Sequence, residues 1–178
     1  MQVNDFMIHH KLPTDFRIKV RRYLNYLYDS KKEFKLEEQD VLDMLNDNLK
    51  LETTIHLNGK LLNETPIFKS FEVAFLSQLT FVIKKRVFMV DEHIFDEGER
   101  SDSLYYIQKG NVILLHKRTA TYIKELAADD FMGECAFFTG EPRKASARSK
   151  NFTDVIILFK HDFLFTATEF PKSKETFV

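Results

Sequence analysis

FMGECAFFTGEPRKASAR, residues 131–148, decides how the rest of the chain is read. Gly133 and Glu134 come first. Cys135, Ala136, Phe137 and Phe138 form a short apolar segment, a turn runs from Gly140 to Pro142, and Arg143, Lys144, Ala145 and Ser146 follow. Without a Cβ, Gly133 lets the chain turn sharply and lie close to whatever faces it. A short helix over 134–138 would leave its first N–H groups unpaired and partly positive, a setting that favours an anion. Gly140 fits the position just past such a helix, and Pro142 suits the turn back into a strand.

The same residues suit a phosphate bonded to a sugar. Arg143 offers a planar fork of donors to two phosphate oxygens, in charge-assisted bonds of roughly 1.5–3 kcal/mol each that lysine cannot copy in geometry. Glu134 is wrong for phosphate but right for ribose, because an ionised carboxylate only accepts hydrogen bonds and a 2′-hydroxyl can donate one. Taken singly, each charge reads as an ordinary solvated turn residue. The ordered mixture of acid and base favours a nucleotide over a bare anion.

Moving outward, the chain divides by periodicity. From about Phe81, short strands are expected at 85–90, 93–96, 104–108, 111–116, 121–126, 145–149 and 154–159, with turns at Glu97-Gly98, Lys109-Gly110 and Gly140 to Pro142. That spacing indicates a sandwich or roll of antiparallel strands. His161 to Val178 returns to helical character, interrupted by Pro171. Residues 1 to 80 read as helical. Phe16, Val20, Tyr23, Leu24 and Leu27 recur on one face after Pro13, in a run ending near Asp29-Ser30. A second helix carries Val41, Leu42 and Leu45 behind Glu37 and Glu38, and a third runs from Asp47 to Leu62 with Leu51, Ile55 and Leu62 inward. After Pro66, Ser70 is the expected cap of a helix holding Val73, Leu76 and Leu79. The class is therefore α+β: a helical front part, then an antiparallel, jelly-roll-like β-roll with flanking helices.

Composition narrows the function classes. A 44% apolar content with 18 Phe supports a real core. A net charge of −1 gives no electrostatic case for nucleic acid. The single cysteine, Cys135, excludes an intrachain disulfide and a multi-cysteine metal site, and fits a reduced cytosolic setting. No apolar run approaches a membrane span, and MQVNDFMIHH lacks a signal pattern. Adjacent carboxylates such as Asp96-Glu97 point to opposite faces of a strand, His9-His10 diverge on a helix, and no nucleophile–base pair is recognisable. Neither an enzyme nor a metal protein is expected.

Gly133 to Ser146 resembles the phosphate-binding cassette of the cyclic-nucleotide-binding domain family, in which Gly-Glu precedes apolar residues and then Arg, any residue, Ala and Ser or Thr. Glu134 stands nine residues before Arg143, the family spacing. EGERSDSLYYIQKGNV, residues 97–112, is similar to the family segment with an aromatic pair between two glycines. Asp129 departs from it, standing where glycine is frequent. Further forward, FMIHHKLPTDFRIKVRRYLNYLY, residues 6–28, resembles the C-linker of cyclic-nucleotide-gated and hyperpolarization-activated channels, most closely at His10 to Pro13 and Asp15 to Arg17. TIHLNGKLLNETPIF, residues 54–68, also looks like that linker.

The resemblance implies a C-linker over 1–66 and a cyclic-nucleotide-binding domain over 67–178. Together they would be the ligand-sensing region of a tetrameric channel, on the cytoplasmic face of a membrane, tied to that membrane only through a pore domain not in this chain. The implied ligand is cAMP or cGMP, with no other cofactor, and the implied binding set is Gly133, Glu134, Cys135, Ala136, Arg143, Lys144, Ala145, Ser146 and Leu114. Ala136 would offer its N–H to the phosphate, and Leu114 would pack on the base. In the family a threonine after the arginine favours cGMP; Lys144 stands there, so cAMP is expected. The family's closing helix would only be starting at Val178, which predicts incomplete lid contacts and weaker binding than in a longer chain. A kinase regulatory subunit would show a second cassette, and a transcription factor a DNA-binding helical pair; neither is present. A degenerate domain that binds no nucleotide is at odds with Glu134 and Arg143.

Overall fold

A computed structural model describes residues 2–32, 38–64, 68–100 and 102–177 of the chain. They fall into two compact units, Met1–Asn46 and Asp47–Val178.

The first unit is helical. α1 (Gln2–His9) gives way to α2 (Thr14–Lys32), with α3 (Glu38–Met44) following. Two residues past α1, Lys11 takes a left-handed φ of 50°, and the Leu12 N–H returns to the Met7 carbonyl. The Pro13 carbonyl accepts the first bond of α2, from the Arg17 N–H. Arg21 Nη2 donates to Asn4 Oδ1 at 2.8 Å, fastening α2 to α1. α2 continues to Lys32, past the stop expected at Asp29-Ser30. The expected apolar face of α2 is only part covered, with Phe16 50% and Leu24 38% exposed. In α3, Leu42 is buried and Val41 lies open.

The second unit begins with α4 (Asp47–Glu64), which packs on α5 (Val73–Leu79). Here the expected inward face is corrected. Leu51 is exposed and Ile55 half-buried, while Thr54 and Asn58 face inward. Those polar groups are tolerated because the Thr54 hydroxyl donates to the Lys50 carbonyl and Asn58 reaches the Thr80 carbonyl. The Leu62 side chain and Pro66 lie outside the described residues. α5 is capped at Glu72, not Ser70, and its Val73 is exposed.

Eight strands follow: β1 (Lys84–Phe88), β2 (His93–Phe95), β3 (Ser103–Lys109), β4 (Val112–Leu115), β5 (Tyr122–Leu126), β6 (Phe131–Met132), β7 (Ser146–Ser149) and β8 (Thr153–Phe159). They form two antiparallel four-stranded sheets, ordered β1-β8-β3-β6 and β2-β7-β4-β5. The expected jelly-roll-like α+β class holds, with two facing sheets in place of a closed barrel. β6 has no counterpart among the expected strands; it pairs Met132 with Tyr105 and Phe131 with Tyr106. α6 (Glu134–Thr139) sits between β6 and β7, and α7 (Lys160–Ala167) and α8 (Pro171–Phe177) follow β8. Pro171 thus opens a helix.

Two cores hold this unit. Between the sheets lie Phe88, Phe95, Ile107, Val112, Leu126, Met132, Ala147, Val155 and Ile157. Against the first sheet, the segment before α5 contributes Phe68 and Phe71, and the helices contribute Phe75, Phe137 and Phe163. Phe163 is the hub, meeting Phe75 at 5.1 Å, Phe137 at 5.5 Å and Phe71 at 5.6 Å between centroids, each edge to face. Such pairs add about 0.5–1.5 kcal/mol each beyond area burial. α6 is thereby anchored to α7 through side chains beneath the cassette.

Candidate functional site

The path from β6 to β7 folds as a strand, a left-handed residue, one short helix and a return. Gly133 precedes α6 at φ 84°, and Gly140 follows it at φ 74°. The Phe137 N–H closes on the Gly133 carbonyl, and the Gly140 N–H on the Ala136 carbonyl. The N–H groups of the first turn have no carbonyl before them within the helix, and no side chain caps them. Upstream, Asp129 takes φ 74°, a conformation that glycine adopts freely and Asp or Asn more readily than other side chains. Its carboxylate accepts from the Tyr106 hydroxyl. The left-handed turn survives the loss of glycine.

Arg143 is held from both sides. Its N–H donates to the Glu99 carbonyl and its carbonyl accepts from the Gly98 N–H, both at 2.8 Å, while Pro142 bridges to Arg100. The residue is 5% exposed. Its guanidinium carbon lies 4.1 Å from the Phe95 ring centroid and 5.4 Å from that of Tyr105. Nη2 donates to the Ser103 carbonyl at 2.7 Å, whereas buried Nη1 has no partner among the described residues. Burial lowers the pKa of the group, with nearby Tyr105, Asp102, Glu99 and Glu134 opposing the shift; arginine keeps its charge at any working pH. A Cβ built on Gly133 would lie 1.7 Å from Nη1, so the glycine makes the room that the guanidinium uses.

Arg143 and Glu134 line one cavity of about 120 Å3, together with Gly133, Cys135, Ala136, Lys144, Ala145 and Leu114. Eight of the nine expected site residues therefore converge. Ser146 does not reach the cavity wall. Its hydroxyl accepts from the Glu97 N–H at 2.9 Å and donates to Asp96 Oδ1 at 3.3 Å, which ties β7 to the loop that grips Arg143. The Lys117 ammonium, 3.2 Å from Asp96 Oδ2, with His93 and Ser146 holds the Asp96 carboxyl below its usual range. Lys144 is exposed and paired with Glu141 at 3.0 Å, which raises its pKa. Cys135 is an exposed free thiol whose Sγ lies 3.8 Å from Glu134 Oε1.

Lys124, Phe95, Leu126, Phe131 and Met132 complete the wall and were not expected there. Leu126 and Lys124 alternate along β5, a signal that period-two reading can carry. Met132 lies on a strand too short to show a period. Among the described residues, no cluster of His, Cys, Asp or Glu could hold a metal ion, and no helix is long and apolar enough to cross a membrane.

Residues 85–168 match the family model described as "Cyclic nucleotide-binding domain". Over 97% of its length the chain is 27% identical to the human protein "Cyclic nucleotide-gated channel alpha-3", covering 26% of that protein. The rat "Cyclic nucleotide-gated channel alpha-2" matches at 27% identity over 97% of the chain and 27% of that protein. The mouse "Potassium/sodium hyperpolarization-activated cyclic nucleotide-gated channel 2" is 30% identical over 99% of the chain and 20% of its own length. The chain thus spans roughly a fifth to a quarter of these relatives.

Proposed function

We propose that this chain, whose residues 85–168 match the cyclic nucleotide-binding domain family model, is the ligand-sensing region of a tetrameric cation channel. The domain binds a purine 3′,5′-cyclic monophosphate, and residues 1–66 serve as the linker that passes occupancy toward the pore. The working position is the cytoplasmic face of a membrane, and the role is regulatory, without catalysis. Support for the channel context comes from similarity to gated channels along nearly the whole chain.

One observation carries the ligand reading: Arg143 is 5% exposed, with Nη2 tied to the Ser103 carbonyl and buried Nη1 without a partner among the described residues. Burying a charge without a partner is costly, so an anion entering the cavity recovers interaction energy that the free protein forgoes. Glu134 in the same wall accepts from the sugar 2′-hydroxyl, and the N–H of Ala136 assists at the phosphate. With Lys144 in place of a hydroxyl after Arg143, a guanine contact is lost, which favours cAMP.

Calorimetric titration of cAMP and cGMP against wild type and Arg143→Ala tests this reading. The substitution weakens binding at least about tenfold, as loss of a charge-assisted pair requires. Circular dichroism of the variant checks that the fold persists without the hydrogen bond from Arg143 to the Ser103 carbonyl. Unchanged affinity in a folded variant removes Arg143 from the site.

A further inference from the structure

Lys124 is an exposed lysine at the wall of the cavity. β4 and β5 pair Val112 with Leu126 and, one step along the same face, Leu114 with Lys124. The first pair is buried between the sheets, Val112 at 0% and Leu126 at 3% exposed. The register puts Lys124 on the face of β5 that carries Leu126, where it is exposed at the cavity beside Leu114. Glu125 faces the other way and holds Lys150 at 2.8 Å. Lys124 makes no hydrogen bond or ion pair with the described residues.

We propose that Lys124 is a specificity residue that reads the purine edge bearing position 6, favouring a 6-oxopurine over a 6-aminopurine. The inference rests on the cyclic-nucleotide reading above. With the phosphate at Arg143 and the sugar at Glu134, the wall left for the base includes Leu114, Leu126 and Lys124 beside Phe95, Phe131 and Met132, and Lys124 is the charged group among these six. An ammonium only donates hydrogen bonds. Guanine offers it two acceptors, N7 and O6, whereas adenine offers N7 and opposes it with an N6 donor. The two lysines at this cavity pull in opposite directions: Lys144 removes one guanine contact, and Lys124 supplies another.

The test measures the Kd values of cAMP, cGMP and inosine 3′,5′-cyclic monophosphate on wild type, Lys124→Met and Lys124→Arg. The inosine nucleotide keeps O6 and N7 but lacks the 2-amino group, so it isolates the edge in question. In Lys124→Met, Kd for cGMP relative to cAMP rises roughly threefold or more, the size of one partly exposed charged contact. The inosine nucleotide follows cGMP, and Lys124→Arg keeps the wild-type ratio. A smaller change in Lys124→Met, with binding still dependent on Arg143, overturns the inference and leaves Lys124 as a charge that protects an edge strand. Should wild type bind none of the three, the cyclic-nucleotide reading falls as well.

Discussion

At the scale of single residues, the site is defined by what Gly133 lacks. A methyl group there would lie 1.7 Å from Arg143 Nη1, on a backbone at φ 84°. Gly133→Ala is therefore expected to weaken cyclic-nucleotide binding at least about tenfold, because the guanidinium is displaced from its position. It also destabilises the domain by about 1 kcal/mol through backbone strain. Calorimetry and urea unfolding read the two effects separately; full affinity in the variant would mean that Nη1 is not placed by this glycine. Glu134 and Arg143 were legible because their ordered spacing is chemically unusual. Ser146 was not legible: its hydroxyl is taken by Glu97 and Asp96, and it does not reach the cavity wall. Lys124 was illegible because a lysine in a strand reads as solvated unless its register is known.

At the scale of elements, turn residues marked the strands well, since Gly98 and Gly110 fall in the turns that separate them. β6 escaped because two residues carry no period. The face of α4 was misread because Thr54 and Asn58 are buried with their polar groups satisfied, which hydrophobic periodicity cannot anticipate. The loop holding Arg143 depends on Asp96, whose carboxyl is lowered from 3.8 by Lys117, His93 and Ser146. A depressed carboxyl stabilises the fold above its unfolded value and loses that contribution as pH falls through its folded value. Asp96→Asn is accordingly less stable than wild type at pH 7, and the gap narrows as the pH falls below 3.8. Urea midpoints from neutral to acid pH check this; a constant gap would show that the charge of Asp96 does not matter.

At the scale of the whole molecule, every expected site residue lies in the unit Asp47–Val178. A chain beginning at Asp47 should therefore fold and bind cyclic nucleotide within about threefold of the full sequence, since under 1 kcal/mol separates them. Thermal unfolding with calorimetry decides it, and loss of binding in a folded truncation would assign residues 1–46 a part in the site. The helical front was legible as helices, but not in how far its apolar side chains would be covered. Beneath the cavity, α6 rests Phe137 on Phe163, and Phe163 in turn meets Phe75 and Phe71. Interlocked rings behave like gear teeth, because a close-packed interior yields little to compression. A displacement of α6 would therefore be passed to α7 through the Phe137–Phe163 contact.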